Sequence, residues 1–210
     1  MANLITLSRF LLLFVLVAMA LKAPPAWQLV DGPLLVLIIA LDGVDGYVAR
    51  RRGEASTFGS VFDVVVDRIV EYVLWIVLAY LNVVAVWVAI LFITRGVVVD
   101  SVRYTAVSRG ETVFGMMRSR WGRFLVASRF MRALYGAAKL VCFGWLFTLQ
   151  PLPALFPELW RETSVLLAMV SDALVFATAV LCLARGVPVV LEYLWAEGVV
   201  SRPKLLREAR

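Results

Sequence analysis

Asp42-Gly-Val-Asp45-Gly46-Tyr-Val-Ala49-Arg50 and, eight residues on, Gly59-Ser-Val-Phe-Asp63-Val-Val-Val-Asp67 place four carboxylates between the apolar runs LLVLIIA and VLWIVLAYL. An aspartate at the centre of a membrane helix costs about 2.5–3.5 kcal/mol on insertion scales, so a group of four requires a compensating partner. On a helix over 33–50, Asp42, Asp45, Gly46 and Ala49 fall at i, i+3, i+4 and i+7. On a helix over 57–80, Gly59, Asp63 and Asp67 fall at i, i+4 and i+8. Helices joined by a short loop are antiparallel neighbours, and the two acidic stripes can then face each other. Converging carboxylates cannot all stay ionised unaided; protons or divalent cations must compensate. Oxygen donors favour Mg2+, Mn2+ or Ca2+, and the chain has no histidine to offer instead. Gly46, Ala49 and Gly59 leave room for a bulky group against the backbone. Arg50 supplies a fork for a phosphate.

The surrounding composition sets the solvent. Of 210 residues, 62% are hydrophobic, a usage that belongs to polytopic membrane proteins rather than soluble domains. One membrane domain, 1–210, accounts for the length. Apolar segments that can span a ~30 Å hydrocarbon core lie near 4–22, 27–49, 57–81, 83–107, 124–149 and 163–187. The expected fold is therefore an all-α polytopic membrane protein of six transmembrane helices, with a polar cavity opening to the cytoplasmic side. Arg9 interrupts the first apolar stretch and no small-residue cleavage pattern leads to a soluble domain, so that segment reads as a span, not a removed signal. Cys142 and Cys182 stand singly in apolar runs and read as small core residues.

Basic residues cluster on alternate connections: Arg50, Arg51 and Arg52; then Arg103, Arg109, Arg118, Arg120 and Arg123; then Arg202, Lys204, Arg207 and Arg210. By the positive-inside bias, the termini and the acidic site face the cytoplasm of a multi-pass inner-membrane protein. The same bias, with attraction to anionic headgroups, accounts for the net charge of +6 without invoking nucleic acid.

The pattern D-x2-D-G-x2-A-R-x8-G-x3-D-x3-D is identified as the signature of the CDP-alcohol phosphatidyltransferase (CDP-alcohol phosphotransferase) family. Asp42, Asp45, Gly46, Ala49, Arg50, Gly59, Asp63 and Asp67 match it at every position. The start of the chain, with Asn3, Thr6 and Arg9 at i+3 steps, and the segment TRGVVVDSVR resemble the branch that makes phosphatidylglycerophosphate. Arg68 stands where that branch tends to show Lys. The resemblance implies phosphatidyl transfer from CDP-diacylglycerol to a small alcohol, with release of CMP. It implies two divalent ions, Mg2+ or Mn2+, held by Asp42, Asp45, Asp63 and Asp67, with Asp67 also the catalytic base. Gly46, Ala49, Arg50 and Gly59 become the CDP-binding positions, and a homodimer in the bilayer is expected from the family alone.

Further charges bear on the acceptor. Arg95 and Arg103 share a face of the fourth span, and Arg129, Arg132 and Lys139 lead into the fifth, where Arg132, Tyr135, Gly136 and Lys139 form an i, i+3, i+4, i+7 stripe. These five cations favour an acceptor that itself carries phosphate, glycerol 3-phosphate first and inositol 1-phosphate second. Arg9 reads equally as a headgroup-snorkelling residue or a site residue. Glu71 is expected to pair with an Arg of a neighbouring span. Pro151, Pro153 and Pro157 preclude regular helix between the last two spans. Asp172 is read as the buried charge of the last span, which Gly186-Val-Pro188 ends or kinks before an interfacial turn at Glu192 and Tyr193. The competing class is a divalent-cation transporter, since acidic residues within the membrane also line ion pathways.

Overall fold

A computed structural model describes residues 2–52, 57–108, 117 and 119–199, with side chains at 4–42, 59, 61–108, 117 and 119–199. Every regular element among them is helical. In chain order these are α1 (Ala2–Lys22), α2 (Pro25–Gln28), α3 (Asp31–Arg52), α4 (Thr57–Tyr80), α5 (Val86–Ser108), α6 (Arg120–Gly122), a π-helical turn (Arg123–Ala127), α7 (Arg129–Leu149), α8 (Leu152–Leu155) and α9 (Pro157–Ala196). Four stretches are long and apolar enough to cross a membrane: Leu4–Lys22, Pro25–Asp42, Arg129–Leu155 and Pro157–Ala196. Helices α4 and α5 have 24 and 23 residues, the length of a span, but Asp63, Asp67, Arg68 and Glu71 interrupt one and Arg95, Asp100 and Arg103 the other.

The chain forms two compact units. Unit one comprises Met1–Ala89 with Lys139–Val175, and its organising seam runs along α1. Thr6, Arg9, Leu13, Leu16 and Ala20 are all buried. Their alternating steps of three and four lay one stripe along a 3.6-residue helix. That stripe packs on α3 and α4, where Leu35, Ile38, Val66, Val70 and Leu74 are buried. The opposite face, with Leu4, Leu7, Leu11 and Phe14, is exposed, as a lipid-facing surface requires. Asn82, at φ 57°, closes α4 in the left-handed conformation, and the Val83 N–H donates back to the Leu78 carbonyl. Trp75 packs on Phe143 at 4.6 Å between ring centroids, joining α4 to α7.

Unit two comprises Ile90–Ala138 with Phe176–Arg210. Its core gathers Val99, Val102, Ala106, Met117, Val126 and Val189. Ser128 is extended and its hydroxyl accepts from the Met131 N–H, capping α7. The span expected from residue 124 therefore begins at Arg129.

The C-terminal helix departs most from expectation. Pro157 occupies its first position, where a missing N–H costs nothing, and Leu152–Leu155 form one short turn, so the prolines shape helical starts instead of abolishing them. Helix α9 then runs 40 residues, through Pro188, to Ala196. At 1.5 Å per residue that is about 60 Å, roughly twice a hydrocarbon core. The helix does not end at 186–188, and Glu192 and Tyr193 continue it instead of forming a separate turn. Gly186 serves a different purpose: a Cβ there would lie 2.7 Å from Nε and 2.8 Å from Cγ of Arg95. Asp172 is exposed, and the buried charges of α9 are Arg185 and Glu192. Both cysteines are buried and not joined in a disulfide, as their apolar settings suggest.

Candidate metal centre

Three of the four motif aspartates have described side chains, and they converge. Asp42 from α3 and Asp63 and Asp67 from α4 each present an oxygen within 4.8 Å of the others. These three carboxylates turn toward α1, where Arg9 meets them. Its Nη1 lies 2.6 Å from Oδ1 of Asp42 and 3.2 Å from Oδ1 of Asp63, and its Nη2 lies 2.7 Å from Oδ1 of Asp67. Nε donates to the Ile38 carbonyl at 3.2 Å. The burial is asymmetric: the Arg9 side chain is 3% exposed, against 40%, 39% and 49% for Asp42, Asp63 and Asp67. Arginine thus approaches from the protein side, and the carboxylates keep an open face. One guanidinium thus faces three carboxyl groups.

The donor set suits a hard divalent ion: carboxylate oxygens, from two helices, with an accessible face. Scale supports this with one adjustment. Two oxygens on opposite sides of a Mg2+ ion are separated by about 4.2 Å, twice a 2.1 Å bond, so the cluster must contract by a few tenths of an ångström to share one ion. The side chains of Asp45, Gly46, Ala49 and Arg50 lie outside the described set; their backbone continues α3. Gly59 is half-buried in the first turn of α4, one turn before Asp63.

The acid next along α4 is used differently. Glu71 is buried and accepts from Arg68 at 3.2 Å within its own helix, and from Lys139 of α7 at 3.0 Å. The expected partner from a neighbouring span is thus a lysine. Lys139, proposed from sequence for the acceptor, is engaged here in a structural pair.

The other cations proposed for the acceptor are in unit two. The guanidinium of Arg95 lies 5.8 Å and that of Arg185 5.3 Å from the centroid of the buried Tyr135 ring, so two cations share one aromatic side chain. Arg185 also donates to the Met131 carbonyl at 2.9 Å, and Nε of Arg95 is buried with no hydrogen-bond acceptor among the described residues. Arg103 lies 3.9 Å from Asp100, a loose i, i+3 pair. Arg129 and Arg132 are exposed, as is Gly136. The stripe from 132 to 139 therefore does not form one buried cationic face. Arg109, Arg118, Arg202, Lys204, Arg207 and Arg210 lie outside the described residues.

Arg185 escaped the sequence reading, and Glu192 was expected in an interfacial turn. Their signal was periodic: Thr178, Cys182, Arg185, Val189 and Glu192 step by four and three, and all are buried. Glu192 accepts from the Ser119 backbone N–H at 2.8 Å, while the Ser119 hydroxyl accepts from Gly122 N–H, anchoring the α6 turn.

Comparison with known proteins agrees with this arrangement. The profile of the family described as CDP-alcohol phosphatidyltransferase matches residues 1–155. The chain belongs to the CDP-alcohol phosphatidyltransferase family. The matched region contains the whole acidic hairpin and the helix that delivers Arg9. A CDP-diacylglycerol–glycerol-3-phosphate 3-phosphatidyltransferase of Bacillus subtilis (strain 168) is 26% identical over 107 residues, 50% of this chain and 55% of the relative. The similarity thus spans about half the length of that curated protein. Membership in a family of membrane transferases, with several membrane-crossing helices, makes this a multi-pass membrane protein.

Proposed function

We propose that the protein transfers a phosphatidyl group from CDP-diacylglycerol to a phosphorylated alcohol, with glycerol 3-phosphate the first choice. The convergence of Asp42, Asp63 and Asp67 carries this reading, because it brings together the oxygen donors of a family whose members act on CDP-alcohols. With Asp45, matched by the motif, these residues would hold two divalent ions, Mg2+ or Mn2+. Such ions would supply charge neutralisation at the pyrophosphate and polarisation at the attacked phosphorus.

The chain's own groups do the rest. The acceptor hydroxyl oxygen bonds to the phosphorus that bears diacylglycerol, the P–O bond to CMP breaks, and CMP leaves with the bond's electron pair. Asp67 takes the hydroxyl proton, and positioning contributes as much as basicity. Gly46, Ala49 and Gly59 clear space for the cytidine, and Arg50 meets a phosphate of the donor. Arg95 and Arg185 favour a phosphorylated acceptor: two cations around Tyr135 repel each other, and an anion is the natural third partner. The name of the Bacillus subtilis relative points to the same acceptor.

We read α4 and α5 as spans too, giving six with the four apolar ones, in one membrane domain. Their charges then serve internal partners and not lipid. The termini and a polar cavity face the cytoplasm at the inner membrane, and the enzyme works as a homodimer. The test is direct. Purified protein given labelled CDP-diacylglycerol and Mg2+ or Mn2+ should release CMP on addition of glycerol 3-phosphate. A panel with inositol 1-phosphate, serine and inositol identifies the acceptor; metal-dependent ion flux without CMP would favour a transporter and sink the proposal.

A further inference from the structure

Arg9 takes one oxygen from each of three aspartates that the proposed function assigns to metal. Its two terminal nitrogens stand 2.6, 3.2 and 2.7 Å from Asp42, Asp63 and Asp67. A divalent ion bonded to the same oxygens at about 2.1 Å would share the guanidinium's volume and repel its charge. A planar guanidinium holds carboxylates apart; an ion draws them together.

We propose that Arg9 is an internal counter-ion of the metal-free site, which divalent cations must displace in order to bind. This rests on the reading of the carboxylates as a metal centre. Without Arg9, helices α3 and α4 would present like charges to one another in a low-dielectric setting, with nothing to hold their acidic faces in register. With it, the hairpin stays assembled on α1 while empty. The Nε bond to the Ile38 carbonyl ties the same guanidinium to the backbone of α3. Linkage then fixes the sign: a group that stabilises only the metal-free state lowers metal affinity, and its removal raises it.

The experiment measures Mn2+ binding by the full chain in nanodiscs, without substrate, from the electron paramagnetic resonance signal of free Mn2+. Melting temperatures are recorded with and without the ion. Arg9→Gln should bind Mn2+ at least tenfold more tightly than the parent protein. Its metal-free form should melt lower and gain more on adding Mn2+. Arg9→Lys keeps a charge at the cluster but no fork, and should bind about threefold more tightly; it decides the matter if Arg9→Gln does not fold. Equal or weaker Mn2+ binding by the deciding variant, with binding by the parent intact, overturns the displacement and leaves the metal centre standing. Binding by neither protein overturns the metal centre and the displacement together.

Discussion

Gly186→Ala tests how unit two places its cations. The added Cβ would stand 2.8 Å from Cγ and 2.7 Å from Nε of Arg95, whereas carbon atoms sit about 3.5–4.0 Å apart at their optimum. The stem of Arg95, near its own backbone, must therefore move by most of an ångström, not merely swing its tip. Overpacking of this kind costs about 1–3 kcal/mol. The displaced guanidinium also loses its place 5.8 Å from the Tyr135 ring, a contact of about 0.5–2 kcal/mol, and with it a charged contact to phosphate of about 1.5–3 kcal/mol. Each 1.4 kcal/mol is a factor of ten, so the KM for glycerol 3-phosphate should rise roughly tenfold or more. Mn2+ binding should be unchanged, because the carboxylate cluster belongs to unit one. The assay pairs CMP-release kinetics over a range of acceptor concentrations with thermal melting in detergent. A lower melting temperature with unchanged KM would refute the role of Arg95 at the acceptor. No change in either would refute the close contact itself.

Asp63→Asn and Asp67→Asn should each abolish CMP release while the protein still accumulates in the membrane, as judged by immunoblot; near-normal turnover in either would remove the mechanism. Lys139→Met removes one of the cations that the buried Glu71 pairs with and should destabilise the protein by about 3 kcal/mol. Adding Glu71→Gln should recover much of that loss, and a double variant no better than the single one would contradict the pairing. Glu192→Ala removes the acceptor for the Ser119 N–H, at a cost of about 1–3 kcal/mol. Hydrogen exchange should quicken around residues 119–127, and unchanged protection there would dismiss the anchor.

The acidic hairpin was legible because spacing carries it. A step of four puts Asp63 and Asp67 on one face of their helix, the short hairpin brings Asp42 beside them, and oxygen-only donors restrict the ion. Helical content and membrane character followed from composition, since a chain this apolar can satisfy its backbone in lipid only by helices or a closed barrel. The long α9 was missed because proline was weighed as a breaker; tertiary packing of the buried positions on either side of Pro188 holds the helix through it.

Which charges meet is a different kind of fact. Arg9 has the same local surroundings whether its side chain climbs to headgroups or turns inward, and only the packing of α1 on α3 and α4 chooses the second. Lys139 reads as a phosphate ligand until α7 is laid beside Glu71. Arg185 looks like an isolated charge in an apolar span until Tyr135 and the Met131 carbonyl are found beneath it. Residue identity and helical period determined where the acids stand and what ions they suit. The partners of the cations were decided by tertiary structure, because a long flexible side chain reaches several neighbours and only the packed helices determine which is there.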